Sequence, residues 1–238
     1  MPEKSSRPIN YRHLLGRYAR YAPRYDRRFA RYSAATLGRS LEIIPLEGSV
    51  KLLDVACGTG LLIDMLRYQR PDLHTTGIDI SRQMLERAKQ RVPPVPGKVQ
   101  WLVGHAEQLP VGSGTFDVVT CTNAFHLVQD APAALSEFRR VLKPEGTLVL
   151  VDWCRDYPIM KLRNAVLRII DHQRRSIRRL GDLADLMAMA GFAIQNKRRF
   201  RSGLWGMMCV VAQNPGAPSI ERDLRPDAMP TKRAYSRR

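Results

Sequence analysis

Residues 50–63 read Val50-Lys-Leu-Leu-Asp54-Val-Ala-Cys-Gly58-Thr-Gly60-Leu-Leu-Ile63. The mostly apolar first half is typical of a strand buried on both faces. A helical apolar pattern begins at Leu61, and two glycines lie between the strand and the helix. Glycines let the backbone approach a ligand closely, and the free N–H groups at a helix start attract a carboxylate or phosphate. The stretch therefore predicts a nucleotide-cofactor loop.

The loop lacks the features of two common phosphate-binding motifs. Leu61 follows Gly60, so the Gly-Lys-Ser/Thr ending of an ATP-binding loop is absent. Ile63 stands where the dinucleotide pattern G-x-G-x-x-G needs its third glycine. An acidic residue, Asp54, instead ends the strand four positions before Gly58. These features favour a cofactor without phosphate groups.

A second acidic residue follows at a meaningful distance. The predicted strand His74–Ile80 contains Asp79, nineteen residues beyond Gly60. About 20 residues is the spacing expected for an acid that accepts hydrogen bonds from a ribose diol. Ser81 is better suited than Asp79 to cap the helix that follows. We therefore predict that Asp79 binds a ribose.

These residues resemble the first motifs of the class I S-adenosylmethionine-dependent methyltransferases, with Ala56 in place of the first glycine of the usual acid-x-Gly-x-Gly-x-Gly. The resemblance covers about residues 50–153 and is greatest to the methyltransferase type 11 group, which includes ubiquinone and menaquinone biosynthesis enzymes. The later matching segments, in the family's order and spacing, are Gly104-His105-Ala106-Glu107 after a third strand Val99–Val103, Phe116-Asp117 at the start of a fourth strand, and Leu142-Lys143-Pro144-x-Gly146 before a fifth strand Thr147–Trp153.

The resemblance implies an α/β fold with a doubly wound, mostly parallel, seven-stranded sheet. Phe192–Arg199 and Leu204–Gln213 would be its closing antiparallel hairpin. It also implies a helical lid at about residues 156–180 and an N-terminal helix, starting near Tyr25, that covers the cofactor. The expected organisation is a basic arm (1–22), a methyltransferase domain (23–213) and a basic tail (214–238), whose prolines and charges predict disorder.

The resemblance implies S-adenosylmethionine as the cofactor. The family carries an aspartate, which accepts a hydrogen bond from the adenine amino group, where this chain has His105. A neutral imidazole accepts the same bond only if its tautomer is fixed, and a solvated loop histidine is the alternative. The residues expected to bind the cofactor are Asp54, Ala56, Cys57, Gly58, Thr59, Gly60, Asp79, Ile80, Met84, His105, Ala106, Asn123 and Ala124.

A general base is needed only if the methyl acceptor must lose a proton early in the reaction. Our first candidate is His126, for which packing beneath the lid is the alternative role. Asn123-Ala124-Phe125-His126 stands where methyltransferases of adenine or glutamine amino groups carry Asn/Asp-Pro-Pro-Tyr/Phe, which argues against that chemistry. The sequence shows no metal-ligand cluster. The other candidate bases are Asp152, His172, Tyr25 and Asp26.

The net charge of +17 is unevenly distributed. Residues 1–39 carry ten Lys/Arg against two acids, and 155–201 carry twelve against four, whereas 40–154 carry eleven against thirteen. This asymmetry points to an anionic partner, such as a membrane surface, RNA or an acidic substrate. We expect a methyltransferase for a small-molecule or lipid-like acceptor held under a basic lid. The alternatives are an RNA methyltransferase, an NAD(P)-dependent oxidoreductase and a non-catalytic cofactor-binding protein.

The apolar runs of the sequence are too short for a membrane span, which needs about 18 residues, and no signal-peptide pattern is present. We therefore expect a cytoplasmic protein, peripheral at a membrane surface if the basic flanks bind lipid. The four cysteines form no CxxC pair and fall mostly in predicted strands, so we expect reduced core thiols.

Overall fold

The computed structural model describes residues 11–96, 98–170 and 177–216. Several predicted features lie outside the described residues: residues 1–10 of the basic arm, His172 with part of the lid, and residues 217–238 of the tail. The helices are α1 (Arg12–Tyr21), α2 (Tyr25–Leu41), α3 (Leu61–Gln69), α4 (Arg82–Arg91), α5 (Ala131–Val141), α6 (Pro158–Ile170) and α7 (Leu180–Met189). The strands are β1 (Lys51–Val55), β2 (His74–Asp79), β3 (Val99–Val103), β4 (Phe116–Thr122), β5 (Leu142–Trp153), β6 (Ala193–Ser202) and β7 (Trp205–Gln213).

The seven strands form one sheet in the order β3-β2-β1-β4-β5-β7-β6. The first five strands in this order are parallel, and β7 runs antiparallel between β5 and β6. The expected doubly wound, seven-stranded fold with a closing hairpin is therefore confirmed. The strand order reverses between β1 and β4, and open α/β sheets bind ligands outside the carboxyl ends of the strands at such a reversal.

Alternate residues of the strands enter two separate cores, as the two-residue repeat of a strand requires. Leu53 belongs to the core that α5 and α7 cover, whereas its neighbour Leu52 belongs to the core that α2 and α3 cover. Four of the five residues of β1 are buried, which explains the continuous apolar run that marked it in the sequence. With a helical layer on each face, the ends of the strands are the part of the sheet open to a ligand.

The structure differs from the predicted elements mainly at their ends. Strand β5 begins at Leu142 rather than at Thr147. Lys143 Nζ donates to Asp117 at 2.7 Å, and Asn214 Nδ2 donates to the carbonyl of Lys143. These bonds fix the segment that was predicted to be a turn, and it extends the strand. Residues 12–21 of the predicted arm form α1. The predicted cap is confirmed, since Ser81 Oγ accepts from the backbone N–H of Met84.

The four cysteines are free and buried, in agreement with the expected core thiols. Within the described ranges, no helix combines the length and the apolar character that crossing a bilayer requires. No group of three or more potential metal ligands occurs in that same part of the chain.

Trp101 packs against Gly60 of the glycine loop and against Gly77 of β2. It pairs in register with Gly77, and a Cβ atom at Gly77 would lie 2.3 Å from the indole ring. A Cβ atom at Gly60 would lie 2.7 Å from the same ring. Trp101 Nε1 donates to the carbonyl of Val92 at 3.1 Å, which fixes the ring in this position. The bulk of Trp101 therefore requires glycine at both positions.

We expect Gly77→Ala to lower the free energy of unfolding by about 1–3 kcal/mol, the usual cost of overpacking a fixed core. Urea denaturation measures this change. The matched control is Gly38→Ala in α2, where a Cβ atom would meet nothing within 4 Å and where alanine should be neutral or stabilise the helix by up to about 1 kcal/mol. Combining Gly77→Ala with Trp101→Leu should recover part of the loss. Equal effects of the two glycine substitutions would contradict this packing.

Candidate functional site

A cavity with about 1040 Å³ of empty space, part of it open to solvent, lies at the carboxyl ends of β1, β2 and β4. One side of the cavity, here called its roof, is formed by residues of α1 and α2 between Leu14 and Leu37, including Tyr25. The predicted cofactor-binding residues line it, except Gly60, which lies beside Trp101. Those that line the cavity are Asp54, Ala56, Cys57, Gly58, Thr59, Asp79, Ile80, Met84, His105, Ala106, Asn123 and Ala124.

The loop after β1 is held in left-handed backbone conformations. The φ angles of Ala56, Gly58 and Gly60 are 58°, 55° and 75°. Glycine adopts such angles freely, whereas alanine costs about 1–2 kcal/mol, so Ala56 is a strained departure from the usual glycine. A Cβ atom at Gly58 would meet no atom within 4 Å, so space above this residue is open toward the cavity.

Asp79 fixes the loop and faces the cavity at the same time. Its Oδ2 accepts from the backbone N–H of Gly58 at 2.9 Å, and its Oδ1 accepts from the backbone N–H of Ser81 at 2.8 Å. Burial raises the pKa of Asp79, although these two hydrogen bonds act in the opposite direction. Each carboxylate oxygen retains capacity to accept a further bond from a ligand hydroxyl.

Asp54, at the end of β1, is 1% exposed. Thr120 Oγ1 donates to its Oδ1 at 2.7 Å. The pKa of Asp54 is raised to about 7. Burial is the main cause, the hydrogen bond from Thr120 acts against it, and the nearby charge of Asp79 adds a smaller upward effect. Asp54 therefore changes its charge near neutral pH, and a positive ligand would favour its ionised form.

The charges of the cavity identify the kind of ligand that fits. Its lining contains the carboxyl groups of Asp26, Asp54 and Asp79, and among the described residues that line it none is lysine or arginine. A dinucleotide would bring two phosphate charges into this acidic surrounding. S-Adenosylmethionine instead carries a positive sulfur and an ammonium group beside its carboxylate, together with ribose hydroxyls that donate hydrogen bonds. The lining therefore fits S-adenosylmethionine and does not fit NAD(P).

Glu107 fixes the tautomer of His105. The Glu107 carboxylate is almost fully buried and accepts from Tyr11 Oη, from the backbone N–H of Gln129 at 3.1 Å and from His105 Nδ1 at 3.3 Å. Because an ionised carboxylate only accepts, Nδ1 carries the proton, and in the neutral imidazole Nε2 then keeps a lone pair. His105 therefore has the fixed tautomer that it needs to accept a bond from an adenine amino group. The adenine contact itself stays a prediction.

The carboxylate of Asp26, one of the candidate bases suggested by the sequence, bonds helix α2 to the glycine loop. Asp26 accepts from Thr59 Oγ1 at 2.6 Å and pairs with Arg91 of α4. Arg91 in turn donates to the carbonyl of Thr59 at 3.0 Å. Asp26 is thus occupied in holding α2 over the cavity. No signal in the sequence linked it to Arg91, which lies 65 residues away.

The side chain of Asn123 is also occupied by α2. Its Oδ1 accepts from Tyr32 Oη at 2.8 Å, and its Nδ2 donates to Thr36 Oγ1 at 2.9 Å. Tyr32 Oη additionally accepts from Trp153 Nε1 at 2.7 Å. Asn123 has a φ of 57°, a conformation that asparagine tolerates better than most residues. Asn123 therefore lines the cofactor cavity and is connected through Tyr32 to the indole of Trp153.

His126 and Asp152 lie next to the cavity rather than in its lining. His126 is 7% exposed, and its Nδ1 lies 2.7 Å from Asp152 Oδ1. The imidazole stacks on Trp153 with ring centroids 4.1 Å apart. The structure thus brings two of the predicted bases together. Tyr25 lies apart from them in the cavity roof, where burial, and then the charges of nearby groups, raise its pKa.

Comparisons with known proteins agree with this site. A family model described as a methyltransferase domain matches residues 53–150. The chain is 34% identical over 145 residues to the demethylmenaquinone methyltransferase of Thermotoga maritima, in a match that spans 59% of this chain and 62% of that protein. The chain thus covers less than two thirds of this relative's length.

Two further matches are longer. The chain is 31% identical over 176 residues to a ubiquinone/menaquinone biosynthesis C-methyltransferase of Cereibacter sphaeroides, in a match that spans 65% of this chain and 70% of the relative. A solved SAM-dependent methyltransferase structure from Thermotoga maritima has a TM-score of 0.69 and 20% identity, and the match covers 85% of this chain and all of that one. At that identity the structural match supports the fold alone.

We expect the affinity for S-adenosylmethionine to rise with pH, because Asp54 must ionise to attract the positive cofactor. With a pKa of about 7, the ionised fraction of Asp54 rises about tenfold between pH 6 and pH 8, and the dissociation constant measured by calorimetry should fall by about the same factor. Asp26 and Asp79 also line the cavity, and because burial raises the pKa of Asp79, its ionisation acts on the affinity in the same direction. Asp54→Asn should bind weakly and with a flatter pH profile; a profile as steep as that of the wild type would contradict this role.

In the absence of cofactor, ionisation of Asp54 should lower the free energy of unfolding, so stability should fall with rising pH while cofactor affinity rises. A raised pKa in the folded state means that the unfolded chain loses this proton first, so the contribution of Asp54 is present at acid pH and is lost as pH rises toward 7. Asp54→Asn should therefore gain stability over the wild type as pH rises from 4.5 to 8. Urea denaturation at several pH values measures this difference.

Proposed function

Because the chain belongs to the class I S-adenosylmethionine-dependent methyltransferases, we propose that it methylates a small-molecule or lipid-like acceptor whose proton is removed by His126. The observation that carries this proposal is the buried His126–Asp152 pair beside the cofactor cavity. The names of the two curated relatives place them in menaquinone and ubiquinone synthesis, which supports an acceptor of this kind.

The cofactor supplies, when bound, an electrophilic methyl group on a positively charged sulfur. In our proposal Asp79 accepts hydrogen bonds from the ribose hydroxyls, and His105 Nε2 accepts one from the adenine amino group. The ionised Asp54 balances the positive charge of the ligand. The roof formed by α1 and α2 excludes water from the reacting atoms.

Asp152 positions His126 for proton removal. It is 1% exposed and accepts from the backbone N–H groups of His126 and Trp153 as well as from His126 Nδ1. With the Nδ1 proton directed to Asp152, Nε2 is the basic atom. In the proposed step the acceptor's proton moves to Nε2, and the electron pair left on the acceptor forms the bond to the methyl group. The products are the methylated acceptor, S-adenosylhomocysteine and a protonated imidazole.

Tyr25 is less suited to this role than His126. Its raised pKa keeps the phenol protonated at neutral pH, so it is a donor and not a base. We therefore assign Tyr25 to the wall of the cofactor cavity. Asp26, already bonded to Thr59 and paired with Arg91, is assigned to holding the roof closed.

The surface beside the site suits a lipid-like acceptor. Helix α6 exposes Ile159, Leu162 and Val166, three apolar residues spaced for one helical face. Arg201 of the basic strand β6 lies over the ring of Tyr157, just before α6, so positive charge borders this apolar face. Apolar groups flanked by positive charge favour an anionic lipid surface. RNA is the second candidate partner, because β6 exposes Lys197, Arg198 and Arg199.

The acceptor class can be tested with labelled cofactor. We expect purified protein and S-adenosylmethionine carrying a tritiated methyl group to transfer label into a lipid extract and not into an RNA extract of the same cells. Heat-inactivated protein is the control. Label found only in RNA would contradict the proposal and support the second candidate.

The base can be tested with the acceptor so found. We expect His126→Gln to lower kcat by about 10²–10⁴-fold, the usual contribution of a general base, with little change in the dissociation constant of S-adenosylmethionine. Asp152→Asn should lower kcat as well, because the amide no longer fixes the tautomer. The control is His13→Gln on the exposed side of α1. An undiminished kcat for His126→Gln would leave His126 with a packing role only.

A further inference from the structure

The guanidinium of Arg163 lies against two tryptophans. Its central carbon is 4.6 Å from the ring centroid of Trp153 and 4.3 Å from that of Trp205. The two indoles are themselves stacked, with centroids 5.1 Å apart and planes inclined by 24°. Arg163 is carried by α6, whereas the tryptophans come from β5 and β7. Residues from three elements, of which β7 is distant in sequence from the other two, therefore meet in one aromatic cluster.

Arg163 lacks the partners that other arginines of this chain have. Its Nε is buried without a hydrogen-bond acceptor, and within the described residues Arg163 forms no ion pair. By contrast, Arg91 pairs with Asp26, and Arg140 pairs with Glu137. Burial lowers the pKa of Arg163, which is the effect expected of a cation removed from water without a compensating anion. A partly buried cation of this kind is poised to bind an anionic group.

The cluster adjoins the proposed base. Trp153 stacks on His126 on one side and contacts Trp205 and Arg163 on others. Tyr32 contacts Trp205 at a centroid distance of 5.0 Å and accepts from Trp153 Nε1, which holds the indole in place. Trp153, Trp205 and Arg163 are each only partly buried, so a ligand can reach them. A molecule bound here lies beside the base and next to the wall of the cofactor cavity.

We propose that Arg163, Trp153 and Trp205 form the acceptor subsite, and that the acceptor is a planar ring bearing a carboxylate. The guanidinium fork matches the two oxygens of a carboxylate, and the partly exposed edges of the two indoles can contact an aromatic ring edge-to-face. This inference rests on the proposed function for the identity of the neighbouring base. It adds the charge of the acceptor, which would supply the anion that Arg163 lacks among the described residues.

The test measures binding directly, without methyl transfer. Calorimetry compares 2-naphthoate with its neutral isostere 2-naphthamide on the full chain, with and without saturating S-adenosylmethionine. We expect the wild type to bind the carboxylate about 10–100-fold more tightly than the amide, the range for a charge-assisted hydrogen bond. Arg163→Gln should lose this preference and leave binding of the amide unchanged. Arg163→Lys should be intermediate, because it keeps the charge without the fork.

The control is Arg28→Gln in α2, which removes an exposed arginine that also lies over aromatic rings, those of Tyr21 and Phe29. It should keep the full preference for the carboxylate. Thermal melts and the affinity for S-adenosylmethionine check the fold of each variant, and Arg163→Lys carries the test if the glutamine variant does not fold. Equal affinities of the wild type for the two probes, or a preference that survives in Arg163→Gln, would overturn the subsite. Failure of the proposed function would instead appear as absent methyl transfer with the carboxylate preference intact.

Discussion

The site depends on negative charge that the protein leaves uncompensated at the ends of β1 and β2. Asp54 and Asp79 face one cavity, and in the part of the chain that the structure describes no lysine or arginine lines it. Burial is the main reason that the pKa values of both carboxyl groups are raised, and for Asp54 the charge of Asp79 adds to the effect. A ligand with positive charge favours the ionised carboxylates, whereas a phosphate opposes their ionisation. The choice of S-adenosylmethionine over a dinucleotide thus follows from charge as well as from the missing third glycine.

Helix α2 connects the cofactor cavity to the proposed acceptor side. Near its start Asp26 bonds to Thr59 of the glycine loop, and two turns later Tyr32 bonds to Asn123 and Trp153. One rigid helix therefore contacts both regions, so movement of α2 away from the sheet would open the cofactor cavity and loosen the aromatic cluster together. Tyr25, which lines the cavity, and Tyr32 thus serve this connection as well as packing.

The sequence predicted the parts of the site that depend on local patterns. The strand, the two glycines and the strand-terminal acids are close in sequence. A strand buried on both faces has a recognisable continuous apolar run, so the positions of these residues at the cavity could be inferred. The role of His105 stayed open because Glu107 fixes its tautomer together with Tyr11, which lies 96 residues from Glu107. Partners this distant leave no periodic signal. The occupation of Asn123 by α2 was hidden for the same reason.

The turn after β4 divides the two tasks of the enzyme. Asn123 has a left-handed backbone, after which Ala124 and Leu127 face the cofactor cavity while His126 turns to Asp152 and Trp153. In our proposal neighbouring residues therefore serve different ligands. Because α6 contributes Arg163 to the proposed acceptor side, changes in α6 would alter the choice of acceptor without disturbing the carboxylates of the cofactor cavity. Under this proposal the same cofactor loop can accompany an α6 of different composition.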